Sequence, residues 1–263
     1  MITMDSMISL KSPGTYCLDV AIKDLLKNLS LQSFIEIGCG NGNLSKLLCQ
    51  SGLKGCGVDV SAQAIAIAEN KLKNFIDKQQ YQLIHSSLLG LTENYQADLA
   101  ISLMVMEHVD DDVDFLTRLS KLVKPSGYVM VGVPARKNKW SLEDDLVGHV
   151  RRYDREDLIA LMKKIGLKDI TCYSVSYPIS NILLPIGNLY TRRTKAEMNK
   201  MFLESEIQTQ LSGVRSIPYK TVFPIWYKLL LNSFTMLPLV WLQKLFYSSN
   251  LGLSLVARGR VQE

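Results

Sequence analysis

Cysteine is sparse in this chain: Cys17, Cys39, Cys49, Cys56 and Cys172 are the only five in 263 residues, and no two form a CxxC pair. An odd number set mostly within apolar runs argues against a disulfide framework and points to a reducing, cytoplasmic compartment. Histidine is scarcer, at three, with no Cys–His cluster at ligand spacing, so no metal is expected. Charge of one sign is missing too. The 30 Lys and Arg against 25 Asp and Glu leave a net +5 without dense basic tracts, which disfavours nucleic acid as a partner. No N-terminal stretch joins a basic start to a continuous apolar core and a small-residue cleavage site, so no secretion signal is read there. Met1, Met4 and Met7 leave the natural start open. Internal repeats and low-complexity tracts are absent as well.

What is present is an alternation of short apolar runs with helical spacing. A chain of 263 residues can bury one large α/β core but hardly two. Leu18, Ala21, Ile22, Leu25 and Leu26 predict an amphipathic helix over 16–29. A strand over 33–37, a glycine turn and a helix over 44–49 follow, then a strand over 55–60 and a helix over 62–75 capped by Ser61. Further strands are expected over 81–84, 98–104, 128–133 and 169–175. Helices are expected over 113–123, stopped by Pro125 and Gly127, and over 155–165, between Asp154 and Gly166. Strands separated by helices of this length imply a parallel, doubly wound sheet. The alternation ends near residue 180, and 254–261 resumes as a strand. The expected architecture is therefore α/β: a Rossmann-like, mostly parallel seven-stranded sheet built from 1–180 plus 251–263. A helical apolar insertion, 181–250, precedes the last strand.

The turn Glu36-Ile37-Gly38-Cys39-Gly40-Asn41-Gly42 sits between a strand and a helix, where glycine lets backbone approach a nucleotide-like ligand. Its glycines run GxGxG, with Asn43 where a dinucleotide fold expects a third glycine, and a carboxylate precedes them. Both features count against a pyrophosphate and hence against a nicotinamide-dependent oxidoreductase. They suit a ligand carrying an amine and a sulfonium. Asp59, at the end of the second strand, can accept hydrogen bonds from both hydroxyls of a ribose.

EIGCGNG, GCGVDV, DLAISLMVMEHV and LVKPSGYVMVGVP together resemble the class I S-adenosylmethionine-dependent methyltransferases, over about residues 15–175. The resemblance implies S-adenosylmethionine as cofactor and S-adenosylhomocysteine as product. It places Glu36, Gly38, Cys39, Gly40 and Gly42 beside the methionine part, Asp59 and Val60 at the ribose, and Leu103 and Met104 against the cofactor. Where that family often has an Asp after the third strand, this chain has His85-Ser86-Ser87, so adenine recognition passes to Ser86, Ser87 or backbone groups. That departure is the one hint of a binding or scaffold protein without turnover.

Methyl transfer from a sulfonium is an in-line displacement that needs a base only when the acceptor must lose a proton. Glu107-His108 follows the fourth expected strand at the carboxyl edge of the sheet, so His108 is either a base or acceptor contact or a local packing residue. The stretch 144–153 offers His149 as a proton acceptor, Arg151 or Arg152 as an anion fork, and Tyr153 as a donor. Its alternative is an Asp–Arg salt-bridged loop.

Within the insertion, 222–241 is long enough to cross a bilayer core but contains Pro224, Lys228, Asn232 and Pro238. Arg192, Arg193, Lys195, Lys200, Arg215 and Lys220 add positive charge, and Trp226, Tyr227, Trp241, Phe246 and Tyr247 add aromatic surface. The mix fits a lid over an apolar acceptor, a peripheral membrane contact, or plain core or dimer packing. A small-molecule or lipid-like methyl acceptor is the expected partner. Oligomeric state is left open.

Overall fold

Apolar runs become strands and amphipathic runs become helices in a computed structural model that describes residues 7–91, 95–183, 185, 222–229 and 231–262. A short strand β1 (Met7–Ser9) precedes helix α1 (Pro13–Leu26). The chain then alternates: β2 (Ser33–Ile37), α2 (Asn43–Gln50), β3 (Lys54–Asp59), α3 (Ala62–Asp77), β4 (Tyr81–His85) and β5 (Ala97–Leu103). It continues through α4 (Asp112–Lys121), β6 (Val123–Pro134), α5 (Leu142–Val147), α6 (Arg155–Lys164) and β7 (Lys168–Val175). Within the expected insertion come β8 (Val222–Pro224) and α7 (Ser233–Lys244), and after it β9 (Ser254–Arg260).

Seven strands form one sheet in the order β4-β3-β2-β5-β6-β9-β7, parallel throughout except for β9, which runs antiparallel to both β6 and β7. This is the expected α/β, mostly parallel sheet. The chain winds outward from β2 to β4, crosses back, and winds the other way from β5, so β2 and β5 flank the point where the winding reverses. Successive side chains of a strand face opposite sides, and both sides are covered. Ile35, Ile37, Val129, Val131 and Val133 pack with Phe115, Leu116, Leu158 and Met162 of α4 and α6. On the other side, Phe34, Leu99, Ile101 and Met130 pack with Ile22, Leu25, Leu48 and Leu72 of α1, α2 and α3.

The ends of α1, which stops at Leu26 and not 29, the start of β6 and the make-up of the insertion depart most from expectation. α1 starts at Pro13 rather than 16, because the Ser12 hydroxyl accepts from the Thr15 amide at 3.3 Å and proline is tolerated in a first helical turn. β6 starts at Val123, not 128, and runs through Pro125: Ser126 takes a left-handed backbone (φ 64°) and the register with β5 shifts there, a bulge that absorbs the proline. The insertion was expected to be mostly helical, and its described residues hold, besides α7, the short strand β8, paired antiparallel with β1.

The apolar run 222–241 is divided among β8, a 3-10 turn (Ile225–Leu229) and α7, which contains Pro238. Among the described residues no helix is long and apolar enough to cross a membrane. Arg192, Arg193, Lys195, Lys200, Arg215 and Lys220 lie outside the described residues. α7 is fastened to the main domain by buried Gln243, whose Nε2 donates to the Cys17 carbonyl at 2.8 Å while its Oε1 accepts from the Ser176 amide at 3.0 Å. Lys244 pairs with Asp24 at 2.8 Å, and the Tyr247 hydroxyl donates to the same carboxylate at 3.0 Å.

Candidate active site

A cleft of about 770 Å³ opens at the carboxyl ends of β2, β3 and β5, beside the reversal in winding where ligands of open α/β sheets bind. Its wall is made by two loops in direct contact. Gly38 follows β2 with φ +76°, and a Cβ built there would lie 2.2 Å from Val105 Cγ2, so only glycine lets the loops after β2 and β5 close on each other. The turn is also fixed to β3: the amides of Gly38 and Cys39 both donate to the Val58 carbonyl, at 2.8 and 3.1 Å. Asp59 completes the attachment, accepting from the Gly40 amide at 2.7 Å and the Ser61 amide at 2.8 Å. Each carboxylate oxygen keeps acceptor capacity toward the cleft, since a carboxylate has about four lone-pair sites. Ser86 and Ser87 line the cleft next to Leu88 and Leu89. Ser87 also caps the 3-10 turn there, its hydroxyl accepting from the Gly90 amide at 3.1 Å.

The other end of the cleft is polar and crowded. Met104 takes a left-handed backbone (φ 55°), rare for a residue with a side chain, and its amide donates to the Gly132 carbonyl at 2.8 Å. Beyond it, Glu107 is completely buried and neither carboxylate oxygen has a hydrogen-bonding partner of ordinary geometry. Burial pushes its carboxyl up to about 8, and the nearby Asp144 charge adds to the rise, against the lowering influence of its own amide and Arg152. His149 Nε2 lies 3.7 Å from Glu107 Oε1, and its Nδ1 lies 2.8 Å from Asp144 Oδ1. The His108 and His149 rings meet edge to face with centroids 4.9 Å apart, and His108 Nδ1 lies 3.1 Å from the Gly148 carbonyl. Asp144 Oδ1 also accepts from Arg152 Nε at 2.7 Å, and Oδ2 from the Ser141 amide at 2.7 Å. Burial works to raise the Asp144 carboxyl, but His149, Arg152 and that amide outweigh it and hold it well below the usual range.

The family model that describes a methyltransferase domain matches residues 13–171, from the first turn of α1 into β7. The chain belongs to this methyltransferase-domain family. Among curated proteins, the ubiquinone biosynthesis O-methyltransferase of Leptothrix cholodnii is 27% identical over 40% of this chain and 45% of its own length. That of Pelagibacter ubique is 31% identical over 40% of this chain and 42% of its own. The chain thus spans a little under half the length of the curated relatives it matches. Among solved structures, phosphoethanolamine N-methyltransferase 2 of Haemonchus contortus, in complex with S-adenosylmethionine, aligns with TM-score 0.58 and 17% identity over 94% of this chain and 52% of that one. The N-methyltransferase NodS of Bradyrhizobium japonicum, in complex with S-adenosylhomocysteine, aligns with TM-score 0.53 and 14% identity over 94% and 86%. The fold is that of the class I S-adenosylmethionine-dependent methyltransferases.

In this member of the methyltransferase-domain family, Gly38, Gly40, Asp59, Val60, Ser86, Ser87, Leu103, Met104, His108, His149 and Arg152 all line the same cleft. Four other expected residues lie behind its wall. Glu36 is 3% exposed and accepts from the Ser45 hydroxyl at 2.5 Å, because its strand position faces α2. The Cys39 side chain turns inward, and Gly42 begins α2 in a left-handed conformation packed on Leu72. Tyr153 is buried too, its hydroxyl donating to Asp112 at 3.0 Å. The 144–153 stretch is therefore a salt-bridged loop and a cleft wall at once: Arg152 pairs with Asp144, Arg151 pairs with Asp112 at 2.8 Å, and His149 still reaches the cleft. Sequence reasoning passed over Glu107 and Asp144 as site residues. Adjacency to His108 was the available signal for the first, and for the second its place three residues after a helix-capping serine, Ser141.

Proposed function

We propose that this protein transfers the methyl group of S-adenosylmethionine to a hydroxyl oxygen of a small, apolar or lipid-like acceptor. The observation that carries the reading is the cleft at the reversal in winding, floored by a glycine turn held to Asp59 and ending in the Glu107–His108–His149 cluster. Asp59 takes the ribose hydroxyls on the lone pairs that Gly40 and Ser61 leave open. Ser86 and Ser87 supply polar groups at the adenine end, and Leu103 and Met104 lie along the cofactor. The acceptor enters past Val109, Phe115 and Val147, an apolar approach. Its oxygen attacks the methyl carbon in line as the carbon–sulfur bond breaks, S-adenosylhomocysteine leaves as a neutral thioether, and the hydroxyl proton departs at the polar end. An oxygen acceptor of apolar character is supported by what the curated relatives are named for. Delivery from a membrane surface is part of the proposal, supported by exposed Phe234, Trp241 and Leu245 on one side of α7.

Calorimetric titration with S-adenosylmethionine, S-adenosylhomocysteine and, as a control, NADH tests the reading. The first two bind and NADH does not. Asp59→Ala weakens binding of both by about 1–3 kcal/mol, the loss of charged hydrogen bonds. Absence of binding by the unaltered chain overturns the reading, and an unchanged dissociation constant in Asp59→Ala removes that carboxylate from the ribose site.

A further inference from the structure

Only three histidines occur in the chain, and the fold brings two of them to the acceptor end of the cleft beside a buried carboxylate. One ligand-type atom from each of Glu107, His108 and His149 lies within 4.8 Å of the other two. Glu107 contributes two oxygens without a hydrogen-bonding partner of ordinary geometry from a side chain with no solvent exposure. Such a group is costly unless something of positive charge meets it. Arg152 does not reach it by hydrogen bond, being held by Asp144 and by the Ala135 carbonyl at 3.0 Å.

We propose that Glu107, His108 and His149 form a binding site for one divalent transition-metal ion of the zinc, cobalt or manganese kind. The ion's open face takes the acceptor's hydroxyl oxygen. Two imidazoles and one carboxylate are the donor set of an open catalytic site, three protein ligands with a position left for substrate, and imidazole favours zinc and cobalt over magnesium, with manganese the weakest bound of the three transition metals. The groups behind the ligands agree. His149 Nδ1 is engaged by Asp144, which leaves Nε2 directed at Glu107, the carboxylate–histidine–metal arrangement that orients a ligand and raises its basicity. His108 Nδ1 faces the Gly148 carbonyl, an interaction that fixes the tautomer with its lone pair on Nε2. Tetrahedral ligation at about 2.0–2.1 Å needs ligand atoms roughly 3.3 Å apart, so an ion draws atoms that now lie within 4.8 Å of one another together by up to about 1.5 Å. Acidic Asp110, Asp111 and Asp114 on the same cleft add negative potential toward a cation.

The site rests on the methyltransferase reading only for its consequence. A coordinated hydroxyl releases its proton to solvent near neutral pH, and the resulting oxygen anion attacks the methyl carbon while the carbon–sulfur bond breaks. The histidines are then ligands and not the proton acceptors.

The experiment uses the untagged full chain, stripped with chelator and titrated with Co2+ or Zn2+ by calorimetry, with visible absorption of the Co2+ form as a second readout. The five cysteines are all buried, so surface thiols do not compete. One equivalent binds, with d–d bands of four- or five-coordinate cobalt. Glu107→Gln and His108→Ala each weaken it at least tenfold, the lower end of what even outer-shell losses cause. Titration of the same samples with S-adenosylhomocysteine shows that the variants remain folded. If the cofactor binds and cobalt does not, or if both variants bind cobalt as the parent does, the metal site is wrong and the methyltransferase reading stands. Cobalt binding that follows the prediction in a chain deaf to S-adenosylhomocysteine keeps the site and removes the reading.

Discussion

A methyl group added at Gly40 meets no atom within 4 Å, whereas one added at Gly42 comes within 2.6 Å of Leu72 Cδ1 and 3.3 Å of Ala68 Cβ. Both glycines have positive φ, 51° and 74°, so each alanine variant carries a backbone cost of about 1–2 kcal/mol. Beyond that they diverge. Gly40 lines the cleft, and its added methyl projects into the space assigned to the cofactor. Gly40→Ala should lower S-adenosylhomocysteine affinity at least about tenfold, one steric contact's worth of about 1.4 kcal/mol, with a small drop in melting temperature. Gly42→Ala overpacks the α2–α3 contact and should cost about 1–3 kcal/mol more in stability, with affinity less affected. Thermal melts beside calorimetry separate the two, and equal behaviour of both variants would contradict the geometry. In the sequence the two glycines look alike, because a GxGxG pattern marks the turn and not which side of it each residue faces.

At the scale of elements, Asp98 at the start of β5 ties that strand to the entrance of β2. Its Oδ2 accepts from the amides of Gln32 and Ser33 at 2.8 Å each and from the Ser33 hydroxyl at 3.0 Å, while Oδ1 pairs with Lys124. Burial works to raise its carboxyl, but Lys124 and the donors of Gln32 and Ser33 outweigh that and bring it to about 2. A carboxyl depressed on folding contributes stability that is complete above its unfolded value, near 4, and is lost as pH falls through the folded value. The chain should therefore lose stability between about pH 4 and pH 2. Asp98→Ala should cost about 1–3 kcal/mol at pH 7 by leaving strand amides unmatched and should flatten that acid limb; denaturant melts across pH 2–7 measure both. An acid limb of undiminished slope in the variant assigns it to other carboxylates. Local periodicity made most elements legible: β2, β3, β4 and β7, and the helices α2, α3, α4 and α6, fall where spacing and caps put them. It failed at β6, where a bulge carries Pro125 within a strand. It failed again at β8, whose partner β1 lies more than 200 residues away and leaves no local trace.

For the whole molecule, the glycine-turn end of the cleft was legible as cleft wall because Gly38, Gly40 and Asp59 lie in two short segments with strong local patterns. At the polar end His108, His149 and Arg152 were legible one by one, but their grouping with Glu107 was not, since Glu107–His108 and His149 meet only when the crossover after β6 folds back over the end of β5. α7 poses the same problem in reverse, because its apolar residues show in sequence while their direction does not. Met236, Val240 and Gln243 face inward, whereas Phe234 (80% exposed), Leu237, Trp241 (69%) and Leu245 (79%) recur at 3–4-residue spacing on the outer side. A helix clamped to α1 by Gln243 and Lys244 cannot turn that stripe inward without breaking buried hydrogen bonds. Apolar side chains on a fixed outer stripe, with Lys244 Nζ 5.8 Å from the Trp241 ring, match the boundary of a lipid headgroup layer, where aromatic rings and cationic tips are favoured. The chain should therefore sediment with vesicles of phosphatidylcholine and phosphatidylglycerol. Replacing Phe234 and Trp241 together by serine should weaken that roughly tenfold, about 1.4 kcal/mol from interfacial burial of two rings, and leave S-adenosylhomocysteine affinity unchanged because neither residue lines the cleft. A parent chain that stays in the supernatant at every vesicle concentration removes membrane delivery and leaves an acceptor that reaches the cleft through water.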